Sequence, residues 1–210
     1  MSKLEELSNL VVRGKLKLVA GATQEAIDEG IAPAEILNTM IAAMGIVGEQ
    51  FKNNEIFVPE MLVAARAMKK GVETLKPHLG SGEVGAKGKV IIGTVAGDLH
   101  DIGKNLVAMM IESAGFEVID LGVDVPGDKF VEAVNANPDT KIVALSALLT
   151  TTMPSLQEIV GLLNGQPFRK NIKIMVGGAP ITQEFADLIG ADAYTADAAS
   201  AAEKASEIVA

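Results

Sequence analysis

The part of the chain from residue 89 onward most constrains the fold. Four aliphatic runs, KVIIGTV, EVIDLGV, KIVALSAL and KIMVGGA, alternate with segments of helical spacing, NLVAMMIESAG, DKFVEAVNAN, SLQEIVGLLNG and TQEFADLIG. A shorter fifth run, DAYTA, precedes a last helical segment, SAAEKASEIVA. Strands alternating with helices at this spacing join through right-handed crossovers into a parallel sheet covered on both faces. Five strands predict a flavodoxin-like order, 2-1-3-4-5, whose ligand crevice lies beyond the carboxyl ends of the strands. Three stretches of unusual composition fall at that edge: GDLHDIG after the first strand, SALLTTT ending the third, and GGAP after the fourth.

Residues 1–78 have another texture. Apolar residues recur every three or four positions in SKLEELSNLVV, KLKLVAGATQEAIDEG, PAEILNTMIAAMGIVGEQF and PEMLVAARAMKKGVETL, which predicts four short helices in a bundle. Pro33 and Pro59 suit first-turn positions, where a missing N–H costs nothing. Between the halves, HLGSGEVGAKGK is rich in glycine and lacks large side chains, so residues 79–88 read as a flexible linker. The expected organisation is a helical domain over 1–78, the linker, and an α/β domain over 89–210.

Composition removes several functions. Cysteine is absent, which excludes disulfides, thiolate metal sites and cysteine nucleophiles. A formal charge of -9 argues against nucleic-acid and anionic-membrane partners, both of which need clustered Lys and Arg. No apolar stretch approaches the ~18–20 residues that cross a bilayer, and MSKLEELSNL lacks the pattern of a signal peptide. A soluble, cytoplasmic protein is expected.

GDLHDIGKN, Gly97 to Asn105, contains one of the chain's two histidines. A lone loop histidine beside an aspartate is commonly a hydrogen-bonded structural residue. A phosphate loop fails, because the spacing from Gly97 to Gly103-Lys104 is one residue too long and Asn105 replaces the magnesium-binding hydroxyl. A receiver-type acceptor aspartate should follow the third strand, which instead ends in Ser146 and threonines. Zinc needs three or four ligands, and the other imidazole, His78, lies in the linker region. A metal that brings its own equatorial ligands needs one axial donor only, as in a macrocyclic cofactor. Asp98 is placed to fix the tautomer of His100, and Gly97 and Gly103 would let a wide ring approach the backbone.

Asp98-x-His100-x-x-Gly103, followed by Ser146-x-Leu148 and Gly177-Gly178, resembles the cobalamin-binding signature shared by methionine synthase and corrinoid methyltransferase proteins. EQFKNNEIFVPEMLVAARAMKKG is similar to the helical cap module that precedes that domain, so the resemblance spans roughly residues 5–208. It implies that His100 is the lower axial ligand of cobalt, that Asp98 hydrogen-bonds it, and that Thr152 extends the relay where methionine synthase has serine. The first loop, Gly97, Asp98, Leu99, His100, Asp101, Ile102 and Gly103, would contact the corrinoid. Ser146, Gly177 and Gly178 would hold the benzimidazole base that His100 displaces, and Thr150 would reach that base or the corrin edge. Leu148 would contact the corrinoid, and Phe51, Val58, Met61 and Leu62 would cover the upper face.

The same resemblance implies cobalamin or a related corrinoid, cycling between methylcobalamin and cob(I)alamin. The chain would carry a methyl group between a substrate-specific methyltransferase and an acceptor methyltransferase, served by a reductive activator of the corrinoid. It would have no turnover alone. An adenosylcobalamin-dependent regulator, a mutase small subunit, or a cofactor-free α/β interaction module are the alternatives.

Overall fold

The computed structural model describes residues 2–79 and 87–210, so most of the expected linker lies outside the described residues. Two compact units are present. In the first, helices α1 (Lys3–Val12), α2 (Leu16–Asp28), α3 (Pro33–Lys52) and α4 (Val58–Leu75) pack around Leu7, Val11, Val19, Ile36, Met40, Met61 and Met68, all nearly or fully buried. Ser2 and Glu5 cap α1 reciprocally, each satisfying a backbone N–H that the helix leaves without a partner. Pro33 opens α3 and Pro59 is the second residue of α4, positions whose N–H groups have no helical acceptor.

The second unit is a five-stranded parallel sheet: β1 (Lys89–Thr94), β2 (Glu117–Asp120), β3 (Thr140–Ser146), β4 (Lys173–Gly177) and β5 (Ala193–Tyr194), in the order 2-1-3-4-5. The helices between and after them are α5 (Ile102–Ser113), α6 (Gly127–Ala136), α7 (Met153–Asn164), α8 (Gln183–Ile189) and α9 (Ala198–Val209). One core joins Ile91, Val143, Leu145, Ile174 and Val176 of the sheet to Phe130 of α6, Leu156 and Val160 of α7, and Ile189 of α8. Val90, Ile92, Ile142 and Met175, which alternate with that set, are buried as well. Near-continuous burial along β1, β3 and β4 is what a sheet covered on both faces requires.

Two boundaries differ from the sequence expectation. Helix α5 begins at Ile102, not Asn105, so Gly103 lies in its first turn; Asn105 N–H already donates to the Asp101 carbonyl at 2.7 Å. The fifth strand keeps only two residues of DAYTA, Ala193 and Tyr194, paired with Met175 and Val176 of β4. Among the described residues, no helix is long and apolar enough to cross a membrane.

Candidate functional site

The order reverses between β1 and β3, and the loops leaving these two strands meet at the carboxyl edge of the sheet. Thr94 ends β1 opposite Ser146, which ends β3, and Ser146 lies opposite Gly177, the end of β4. The three stretches singled out from sequence therefore share one edge.

Asp98 is fully buried. Its Oδ1 accepts from the His100 backbone N–H at 3.1 Å and lies 2.7 Å from the His100 ring Nδ1. Its Oδ2 accepts from the Leu148 N–H at 2.7 Å and from the Thr152 hydroxyl at 2.8 Å. Burial by itself would push the carboxyl pKa up. The hydrogen bonds from Leu148, the His100 ring and N–H, and Thr152 outweigh it and hold Asp98 well below the ordinary carboxylate range. An ionised Asp98 makes Nδ1 the protonated nitrogen, which leaves the Nε2 lone pair free.

His100 is anchored at each polar atom but one. Its N–H and Nδ1 engage Asp98, and its carbonyl accepts from the Thr94 hydroxyl at 2.8 Å. Nε2 has no partner among the described residues, and half of the side chain is exposed. The two loops joined at Asp98 also carry apolar side chains turned to solvent: Leu99 at 72% exposure, Ile102 at 83%, and Leu148 and Leu149 at about 40%. Such a rim gains nothing by facing water.

The loop is also held from the β2–α6 connection, which the sequence reading did not include. Asp124, left-handed at φ +54°, accepts from the Gly97 N–H at 2.7 Å and donates its own N–H to the Asp98 carbonyl at 3.0 Å. Lys104, read from sequence only as a failed phosphate-loop lysine, is buried; its ammonium meets the Asp120 carboxylate at the end of β2 and donates to Asn105 at 2.7 Å. These residues fix the first turn of α5 against β2.

The glycines divide by cause. Gly178 has φ +130°, and a Cβ there would sit 1.8 Å from the Ala147 carbonyl oxygen, so close approach of the β3 and β4 loops requires glycine. A Cβ on Gly177 would come within 3.2 Å of the Thr195 carbonyl. Gly97, at φ +82°, makes the turn before Asp98. At Gly103 the φ is ordinary for a helix and a Cβ would meet no atom within 4 Å. Neither the backbone nor the packing of the chain asks for glycine at 103; it leaves open surface beside His100.

Of the other expected residues, Thr150 is exposed in the 3-10 turn before α7, and Ser146 is half-buried. In the helical unit, Met61 is fully buried in that unit's own core, Phe51 and Leu62 are half-buried, and Val58 is 39% exposed. Phe57, which the sequence reading passed over, is 63% exposed at the start of α4.

No group of three or more His, Asp or Glu side chains among the described residues could hold a bare metal ion. One imidazole nitrogen, tautomerically fixed and ringed by exposed aliphatic side chains with a bare glycine beside it, fits a metal carried in a broad apolar macrocycle.

Comparison with known proteins agrees. The family described as "B12 binding domain" matches residues 88–206, more than half of the chain, and a second family of the same description matches residues 3–76. The chain is 45% identical over 210 residues to dimethylamine corrinoid protein 1 of Methanosarcina acetivorans, covering 99% of this chain and 97% of that one. Among solved structures, a cobalamin-binding protein from Desulfitobacterium hafniense matches at a TM-score of 0.81 with 31% identity and full coverage of both chains. A chain of the methanol:cobalamin methyltransferase complex from Methanosarcina barkeri matches at 0.85 with 30% identity, covering 99% of this chain and 79% of that one. The chain belongs to the B12-binding family and binds a corrinoid.

Proposed function

We propose that this chain is a methyl carrier that works between two methyltransferases, with His100 Nε2 as the lower axial ligand of the corrinoid cobalt. When bound, the corrinoid supplies a cobalt centre able to accept a methyl group and give it up again. The observation that carries this reading is the arrangement at His100, whose Nε2 is the one uncommitted polar atom in an exposed apolar rim. The relatives named for dimethylamine and the methanol:cobalamin methyltransferase complex support a methyltransferase partner.

The chain's own residues orient and protect. Asp98 holds the imidazole and keeps its Nδ1 protonated, while Thr152 and the Leu148 N–H hold Asp98. Leu99, Ile102 and Leu148 would contact a bound corrinoid, with Gly97, Asp101 and Gly103 of the same loop as Leu99. Ser146, Gly177 and Gly178 would hold the displaced base, and Thr150 would reach that base or the corrin edge. By the resemblance, Phe51, Val58, Met61 and Leu62 of the helical unit would shield the upper face of a bound corrinoid from water. The two methyltransferases would bring the donor and the acceptor, and a reductive activator would supply the electrons that return oxidised cobalt to its working state, in the cytoplasm.

The test is reconstitution with hydroxocobalamin followed by electron paramagnetic resonance of the cobalt(II) state. The expected result is nitrogen splitting that disappears in His100→Ala while the corrinoid stays bound. The cofactor's own base is also a nitrogen donor, so both proteins are labelled with heavy nitrogen. Splitting with the heavy-nitrogen pattern that persists in the variant would refute the assignment.

A further inference from the structure

We propose that Thr94 is a positioning residue for the cobalt ligand: its buried hydroxyl holds the His100 carbonyl and thereby sets the direction of the imidazole. This rests on the reading of His100 as the axial ligand.

Thr94 is the last residue of β1 and is fully buried. Every other buried position of that strand is aliphatic or glycine, and valine has the same shape as threonine. A hydroxyl buried there is costly unless it donates, and its donation goes to His100, six residues on, at 2.8 Å. The acceptor needs that partner too. The first turn of α5 uses the Asp101 carbonyl, so the His100 carbonyl stands one residue outside the helical ladder.

Thr94 itself is fixed by its backbone. Its N–H donates to the Gly122 carbonyl at 3.0 Å, its carbonyl accepts from the Val125 N–H at 3.0 Å, and it is in register with Ser146. The hydroxyl thus ties the carbonyl side of His100 to the rigid sheet, while Asp98 ties the ring and the N–H. Two anchors on opposite sides of the Cα leave the ring little freedom to swing. With the Thr94 anchor removed, Asp98 still fixes the tautomer, but the backbone that carries the ring can turn.

The experiment compares Thr94→Val, Thr94→Ser and His100→Ala, each reconstituted with hydroxocobalamin and reduced to cobalt(II). The reading is the pH at which half of the nitrogen-ligated signal is lost on acidification; thermal unfolding of the corrinoid-free chains is read alongside. The worth of one hydrogen bond bounds the effect at about tenfold weaker ligation, so the midpoint in Thr94→Val should rise, by at most about 1 pH unit. Thr94→Ser keeps the hydroxyl and should keep the wild-type midpoint, even where loss of the methyl lowers thermal stability.

An unshifted midpoint in Thr94→Val, with nitrogen splitting lost in His100→Ala, overturns the role of Thr94 and leaves the ligand assignment standing. Splitting from protein nitrogen, told from the cofactor's own base by labelling the protein with heavy nitrogen, that is retained in His100→Ala overturns the ligand assignment itself. If Thr94→Val does not fold, Thr94→Ser decides: a wild-type midpoint supports the hydroxyl, and a raised one shows that Thr94 acts by packing.

Discussion

Thr152 reaches Asp98 across 54 residues of sequence, its hydroxyl 2.8 Å from the carboxylate. This bond joins the loop after β3 to the loop after β1, and the Leu148 N–H doubles it at 2.7 Å. Thr152 is 5% exposed, so its hydroxyl has little water to fall back on. Thr152→Val keeps the shape and removes the donor to an ionised acceptor, at a cost of about 1.5–3 kcal/mol. Thr152→Ser should lose less than about 1 kcal/mol, from the methyl alone. Urea unfolding of the corrinoid-free chain measures both.

Asp98→Asn tests the charge. The amide presents an NH2 group to one pair of donors, so about 2–4 kcal/mol should be lost at neutral pH. The folded pKa of Asp98 lies below its unfolded value of about 3.9, so the carboxylate contributes its full stability above that value. That contribution is lost as pH falls toward the folded pKa. The gap between wild type and Asp98→Asn should therefore close as pH falls below about 4. A gap independent of pH down to 3 would show that the carboxylate is not held ionised by these donors.

Gly178 and Gly103 are the same letter with opposite expectations. Gly178→Ala forces a Cβ into the Ala147 carbonyl at a left-handed φ, and should cost more than about 3 kcal/mol or prevent folding. Gly103→Ala meets open space in a helical turn and should raise stability by up to about 1 kcal/mol. The same variant should retain less hydroxocobalamin through gel filtration, since the methyl enters the surface left clear beside His100. Unimpaired retention would remove Gly103 from the corrinoid contact.

Much of this was legible from residue pattern. Aliphatic runs such as KVIIGTV and the helical spacing between them dictate a parallel sheet in the order 2-1-3-4-5, and the loop motifs fall where that order reverses. What stayed hidden has no periodicity. Thr94 reads as one more β-branched strand residue, and its function lies in a bond to a main-chain carbonyl. Asp124 sits in an unremarked loop and acts through the Gly97 N–H and the Asp98 carbonyl, neither of which has a letter of its own. The start of α5 was placed three residues late because Gly103 suggests a loop, while Asp101 in fact accepts the first helical bond.

The cap shows the same ambiguity in apolar letters, and it can be resolved by separating stability from shielding. Met61 is fully buried among helices of its own unit, so Met61→Ala should cost about 2–4 kcal/mol in unfolding of the corrinoid-free chain. Phe57 and Val58 are 63% and 39% exposed, so alanine at either should change that stability by less than about 0.5 kcal/mol for Phe57 and about 1 kcal/mol for Val58. If these exposed side chains cover the cofactor's upper face, their removal opens it. Cyanide should then bind the reconstituted cobalt several-fold faster in Phe57→Ala and Val58→Ala than in the wild type. Because neither side chain is needed for the bundle core, a faster rate at unchanged stability separates shielding from folding, and an unaltered rate in both variants places the cap contact elsewhere on the helical unit.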